Sequence, residues 1–434
     1  MPKVQKLAIS LFLGIIFLIV SVCVSFADSY PDNIQFKTEI LRENIKSVYM
    51  HREGWRLGYP IIELNAEVSL ILRFDDLSEG IKNYQYKIIH CNSGWTQSNL
   101  TDTEYLDGSI FQNYIQDYKF SFNTYTSYQH YFLKLPNEDL SFKVSGNYII
   151  QVYEDYDEEN IILSHRFMIT EKQVQVNADV IRPVLSLYRD NSQQINVSVN
   201  CTSFPLDDPY SDIKLVVLQN GRWDNALTGL KPLFDKNGVL DYNYQMENIF
   251  PAGKEFRWFD IKSLRYQSPY IRSVDFENDS YHVYLFPDED RSRKPYFYEQ
   301  DLNGKYYIEI QEEEDNDTDA DYVNVYFEYP YETPLYEGDF YIQGGLTNWG
   351  FSDKNKMVYD GSSQSYKLNL LLKQGYYNYY ISSALTPDSP GELNYSEGNN
   401  YETENDYVVL VYYTDKRRYF DRLIGYQIVN SLRK

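Results

Sequence analysis

The sequence predicts an all-β protein built of three consecutive β-sandwich domains, and three observations carry that prediction. Apolar and polar residues alternate with period two through most of the chain after Asp28, the spacing of half-buried strands. Tyrosine supplies 45 of 434 residues within an aromatic share of 17%, and tyrosine favours pleated surfaces with one wet edge. No segment keeps a 3.6-residue apolar period long enough for more than minor helix. With 43% hydrophobic residues the chain has enough apolar surface to fold. At roughly 100 to 200 residues per domain, its length suits about two to four cores.

The first 27 residues read as an address. Lys3 and Lys6 precede an apolar run from Leu7 to Val24, and Ser25-Phe26-Ala27 places small residues three and one before Asp28. This is the pattern of a secretory signal peptide cleaved after Ala27. A membrane anchor would use nearly the same apolar length, but the small-x-small ending favours cleavage. A lipoprotein signal at Cys23 is weaker, because Val22 stands where such processing wants a small residue. Cleavage removes two lysines and no acids, leaving 38 basic against 63 acidic residues and a net charge of -25. That charge repels phosphate backbones and anionic lipid, which argues against nucleic acid as a partner. No later apolar run is long enough to span a bilayer, so no direct membrane insertion is expected.

The first sandwich is expected over 34–171. Glu67–Phe74, Asn83–Ile89, Tyr128–Leu135, Asn147–Tyr153 and Ile161–Ile169 read as its strands, with Ile110–Thr124 as a long connection. A middle β domain is expected over 172–330, with strands at Val174–Val180, Gln194–Cys201 and Ile213–Gln219, then shorter ones at Phe256–Phe259, His282–Phe286 and Tyr306–Gln311. Its acidic run Glu312–Asp321 carries like charges and is expected as an exposed tip or loop. The third sandwich, 331–434, takes Gly338–Gln343, Tyr366–Leu372, Tyr376–Ser382 and Val408–Tyr413 as strands.

The inventory for catalysis is thin. His51, His90, His130, His165 and His282 are scattered, with no H-E-x-x-H pair, no G-x-S-x-G elbow and no phosphate-cradling glycine loop. A carboxylate pair of the glycosidase kind stays open, because 63 acids make any chosen pair uninformative. Asp315–Asp321 alternates oxygen ligands like a calcium loop, but Ala320 replaces the glycine at its sixth position and Tyr326 the closing glutamate. No cofactor and no metal site are expected, and the chain reads as a non-enzyme. Cys91 and Cys201 remain after cleavage; free, buried thiols are favoured in a chain that needs no staple, and pairing stays open. Trp349, in a loop after a strand, offers a ring to a sugar or a partner, or else caps the core. Rows such as Tyr376-Tyr377 and Tyr379-Tyr380 must turn half their rings outward, which suits an interface.

The segment Tyr84–Trp95 resembles a characteristic stretch of the plug proteins of the bacterial type IX secretion system. Glu104–Gly108, Tyr128–Tyr131 and Ser145–Tyr148 follow in that family's order, and Ala252–Asp260 carries a similar glycine-x-Glu-Phe-Arg signature. Asp301–Gly304 and Ala320–Val323 continue it. The matching positions include Cys91, Trp95, Tyr105, Gly108, Tyr128, Tyr131, Gly146, Tyr148, Glu255, Phe256 and Arg257, and all are expected to be structural. The third domain resembles the early-set glycogen-binding modules through Tyr341–Trp349, Lys356–Gly361 and Gly375–Ile381, with Trp349 at their sugar-stacking position. Tyr380 replaces the lysine expected after their Tyr-x-Tyr pattern, and no second tryptophan follows. The resemblance therefore implies an immunoglobulin-like, early-set sandwich more strongly than it implies glycan binding.

The plug resemblance implies a periplasmic subunit, peripheral to the outer membrane of a Bacteroidota cell. It would occlude the periplasmic opening of a giant outer-membrane translocon barrel of the SprA/Sov type while that barrel is idle. The alternative is a secreted or periplasmic carbohydrate-binding protein acting through Trp349. An outer-membrane β-barrel would also explain high tyrosine content, but the chain lacks a terminal aromatic and its strands are broken by long polar loops.

Overall fold

The computed structural model describes residues 35–108, 113–312 and 315–432, so the expected signal peptide and part of the Ile110–Thr124 connection lie outside the described residues. Strands take 46% of the described residues and helices 3%, and the all-β expectation holds. Residues 36–434 cluster as one unit.

Six sheets make up most of that unit. Sheet I pairs Ile45–Arg52, Leu70–Asp76, Gln129–Leu135 and Tyr118–Phe120 in that order. Sheet II runs Glu39–Ile40, Ile161–Thr170, Gly146–Glu154, Tyr84–Cys91, Asn113–Tyr114, with Ile61–Glu63 parallel to Ile161–Thr170. Leu70, Leu72 and Phe74 of sheet I meet Tyr86, Ile88, Tyr148, Ile150 and Val152 of sheet II in one apolar core. The spacing of two along each strand puts these residues on one face.

Sheet III contains Ile213–Gln219, Asp406–Asp415 and Phe420–Asn430. Both its faces are buried. Val216, Leu218, Val408 and Leu410 pack on Cys91, Ile149 and Met168 of sheet II. Leu215, Val217, Val409 and Val411 pack on Val176, Ile195, Val197 and Val199. The latter residues belong to sheet IV, which joins Gln175–Ile181, Ser192–Asn200, Val239–Asp241 and Phe234–Lys236, with Ile249–Pro251 beside it. A strand covered on both sides carries a continuous apolar run instead of alternation. This corrects the reading of Ile213–Gln219 as an alternating strand, since Leu215-Val216-Val217-Leu218 has no wet face. The result is a four-layer stack in the order I, II, III, IV.

Sheets V and VI form from the chain between Pro251 and Asp406. Sheet V joins Arg257–Asp260, Gly375–Ala384, Tyr306–Ile308 and Asp339–Gln343. Sheet VI joins Ile271–Glu277, Ser280–Leu285, Tyr322–Pro330, Ser365–Lys373 and Val358–Asp360. Phe259, Tyr377, Tyr379 and Ile381 face Val283, Val323, Val325 and Phe327 across their shared core.

Strand pairing therefore crosses the boundary expected at 330/331. Ile213–Gln219 bonds to Asp406–Asp415 along its whole length, and Tyr322–Pro330 bonds to Ser365–Lys373. The sandwich of sheets III and IV starts near Gln175 and is completed only by the last strands, with sheets V and VI inserted between. Among the described residues, no helix is long and apolar enough to cross a membrane.

Candidate partner interface

The motif positions of the first sandwich are internal, apart from the exposed Gly108. Cys91 is buried in the core between sheets II and III, its thiol pushed up to about 12 by burial. Cys201 sits in the other core of sheet III, and both thiols are free. Trp95 is 1% exposed, and the Arg166 guanidinium lies 4.4 Å over its ring and 5.2 Å over that of Trp223. This clamp ties the first sandwich to the loop after Ile213–Gln219. Tyr105 donates to the Ile88 carbonyl at 3.0 Å, Tyr148 to the Val144 carbonyl at 2.7 Å, and Tyr131 stacks on Phe74 at 5.2 Å. Gly108 and Gly146 have φ of 104° and 149°. A Cβ at Gly108 would meet the Asp139 carbonyl, and one at Gly146 the His90 ring, so glycine is required at both.

The Glu255-Phe256-Arg257 signature lies under a second layer of packing. Phe256 stacks on Tyr380 at 3.7 Å. Arg257 donates to Glu397 and to Asp288, both at 2.8 Å, and Arg291 also reaches Glu397. Glu397 is fully buried, and burial alone would raise it, but Arg257 and Arg291 hold it below the usual carboxylate range. Glu255 accepts from the Tyr296 hydroxyl and the Glu404 N–H with Oε1, while Oε2 has no partner. Burial pushes its carboxyl up to about 7. Trp349 is half-buried, edge-on to Phe256 at 5.8 Å, with the Arg222 guanidinium 5.5 Å over its ring.

Residues that look scattered in sequence converge between sheets I and VI. Asp75 is fully buried and accepts from Lys373 at 2.7 Å, Tyr322 at 2.6 Å and His130 Nδ1 at 2.6 Å. Burial alone would raise Asp75, but Lys373 and His130 hold it low. With His130 Nδ1 donating to a carboxylate, Nε2 is left to accept from Arg73 at 3.2 Å. Arg73 and Arg56 bond Asp317 at 2.6 and 3.1 Å. The acidic run is thus not the exposed tip expected from its charge. Asp317 is 13% exposed and Asp321 5%, because Arg56 and Arg73, far earlier in the chain, neutralise Asp317, and backbone N–H groups of Tyr125, Thr126 and Tyr322 bond Asp321. The arrangement binds sandwich to sandwich through these paired charges. Among the described residues, no group of three or more His, Cys, Asp or Glu side chains could hold a metal ion.

What remains for recognition is on the surface. The arm from Tyr118 to Tyr128 carries Tyr118, Phe120, Phe122 and Tyr125, exposed by 37, 55, 72 and 57%. Tyr125 lies 4.6 Å from Phe276, itself 45% exposed on the edge strand of sheet VI. Sequence reading passed over this arm as a connection, although Tyr118-x-Phe120-x-Phe122 already has the period of a strand.

A family model described as type 9 secretion system plug protein 1st domain matches residues 45–171, which takes in sheets I and II except for Glu39–Ile40. A crystal structure of a hypothetical protein from Parabacteroides merdae ATCC 43184 at 2.30 Å resolution is similar to this chain, with a TM-score of 0.88 and 36% identity. The similarity covers 92% of this chain and 100% of that one. A structure of manganese lipoxygenase of Gaeumannomyces graminis with part of zonadhesin of Komagataella pastoris aligns at a TM-score of 0.15 and 7% identity, over 89% and 94% of the two chains, and carries no argument. No curated protein matches the chain.

Proposed function

Because the chain belongs to the type IX secretion system plug protein family, we propose that it blocks the periplasmic opening of that system's giant outer-membrane barrel while no cargo is in transit. The observation that carries this reading is the stack of sheets I to IV, in which three apolar cores lie between four layers. Close-packed interiors yield little to compression, so the stack acts as a solid block. A stopper needs shape and contact area and no reacting groups, which agrees with motif residues spent on packing and on ion pairs between sandwiches. The secretory leader read from the first 27 residues would deliver the chain to the periplasm.

The carbohydrate-binding alternative finds less support. Trp349 packs on Phe256 and beneath Arg222, where a sugar would need the ring face free.

The test is capture of a tagged full-length chain from envelopes in mild detergent. The expected result is co-purification of one giant outer-membrane barrel, with cells lacking the chain becoming more permeable to large antibiotics. Capture without any outer-membrane barrel would sink the proposal.

A further inference from the structure

Resting on the plug reading, we infer that the Tyr118–Tyr128 arm and the neighbouring edge strand Ile271–Glu277 together form the surface that grips the barrel. The matching zone on the barrel is an apolar patch rimmed by lysine and arginine.

Exposed aromatic side chains ordinarily lose conformational freedom when a partner covers them. Here much of that ordering is already in place. Asp321 accepts from the backbone N–H groups of Tyr125 and Thr126 at 2.8 and 3.0 Å. Phe122 N–H donates to the Thr318 carbonyl at 3.0 Å, and Ser121 N–H to the Tyr128 carbonyl at 2.9 Å. Tyr128 in turn donates to the Ala320 carbonyl at 2.8 Å. The arm is therefore pinned at several points to the loop Asp315–Asp321 that leads into sheet VI, while its rings stand in water. Tyr118 and Phe120 touch at 5.7 Å, and Tyr125, Phe276 and Tyr281 form a second cluster with centroids 4.6 to 5.6 Å apart. Rigid aromatic anchors are the residue type that dominates protein interfaces.

Charge selects the occupant. Asp117 precedes Tyr118, and Asp275, Glu277 and Asp279 surround Phe276, all of them exposed. Lys119, the cation between the rings Tyr118 and Phe120, is already paired with Asp315 at 2.9 Å. Arg272, exposed on the same strand, does not offset the four carboxylates, so the rim is net acidic. It disfavours anionic lipid, and it disfavours a second copy of this chain, which would bring the same carboxylates against themselves. A cationic protein surface with an apolar centre fits both features.

The experiment uses the tagged full chain in its native host. A photo-crosslinking phenylalanine analogue replaces Phe122, Phe276 or, as a control outside the patch, Tyr336, which is 95% exposed. The expected result is a crosslink to the giant barrel from 122 and 276 and none from 336. In parallel, Phe120→Ser with Phe122→Ser and Phe276→Ser should lower barrel co-purification by about tenfold or more at an unchanged melting temperature. Asp275→Lys with Glu277→Lys should lower it as well. The inference is overturned if the triple variant captures as much barrel as the unaltered chain, if the barrel crosslinks only from 336, or if position 122 crosslinks to another copy of this chain. An unaltered chain that captures no barrel overturns the plug reading itself, and this inference with it.

Discussion

Glu255 shows how a motif residue can be structural and still leave a measurable trace. It is 3% exposed, has one oxygen without a partner, and shares its surroundings with Asp301, which burial also raises to about 7. Unfolded, Glu255 loses its proton near 4.5; folded, it keeps that proton to about 7. Between those values the native state binds more protons than the unfolded state, so this group's contribution to stability falls as pH rises through the window and is flat above it. The buried His90 and His165 act in the opposite direction, since burial lowers both to about 4; their stability is lost as pH falls from about 6.5 towards 4. The two effects separate by difference. Glu255→Gln is expected to gain stability over the unaltered chain at pH 8, by on the order of 3 kcal/mol at most, and little at pH 4. Urea midpoints across pH 4 to 8 check this; a constant offset would mean that the carboxyl does not titrate there.

At the scale of elements, the last two long strands decide the second sandwich. Asp406–Asp415 and Phe420–Asn430 supply two of the three strands of sheet III. A chain ended at residue 402 is therefore expected to lose near-ultraviolet circular dichroism and protease resistance over 175–251, far from the cut. If protection there persisted, sheet III would not depend on its closing strands. The strand pattern itself was partly legible. Ile213–Gln219 is read to the residue, and the strands at Leu70, Tyr84, Gly146, Ile161, Ser365 and Gly375 within a few residues. Ile45–Arg52, Ile271–Glu277 and Phe420–Asn430 escaped for a shared reason. Each carries an extra residue against its partner, between Lys46 and Tyr49, between Ile271 and Ser273, and at Ile424 between Leu423 and Gly425, and a bulge breaks the period-two signal. Ser47 even takes a φ of 48°. Nor could the run Asp315–Asp321 be read correctly in isolation, because what buries it are Arg56, Arg73 and Lys119, brought near only by the tertiary fold. The candidate interface was hidden similarly, since Phe276 and Tyr125 become neighbours only when two sandwiches dock.

For the whole molecule, the sandwiches share cores and charges instead of a flexible linker. Sheets II and III hold an apolar interface, and Asp75, fully buried in sheet I, is neutralised by Lys373 of sheet VI. Separating the sandwiches would expose that apolar surface and strand the carboxylate. Calorimetry is accordingly expected to give one cooperative transition, with van't Hoff and calorimetric enthalpies that agree; resolved, independently melting peaks would refute the coupling. The return of the chain to sheet III also governs its birth. As the polypeptide emerges from amino to carboxyl end, Ile213–Gln219 must wait for nearly two hundred further residues before its partner exists. Until the final strands arrive, that strand lacks the neighbour that pairs with it along its whole length. A chain released before its last strands are made would thus carry an apolar, unpaired strand edge of the kind that invites aggregation.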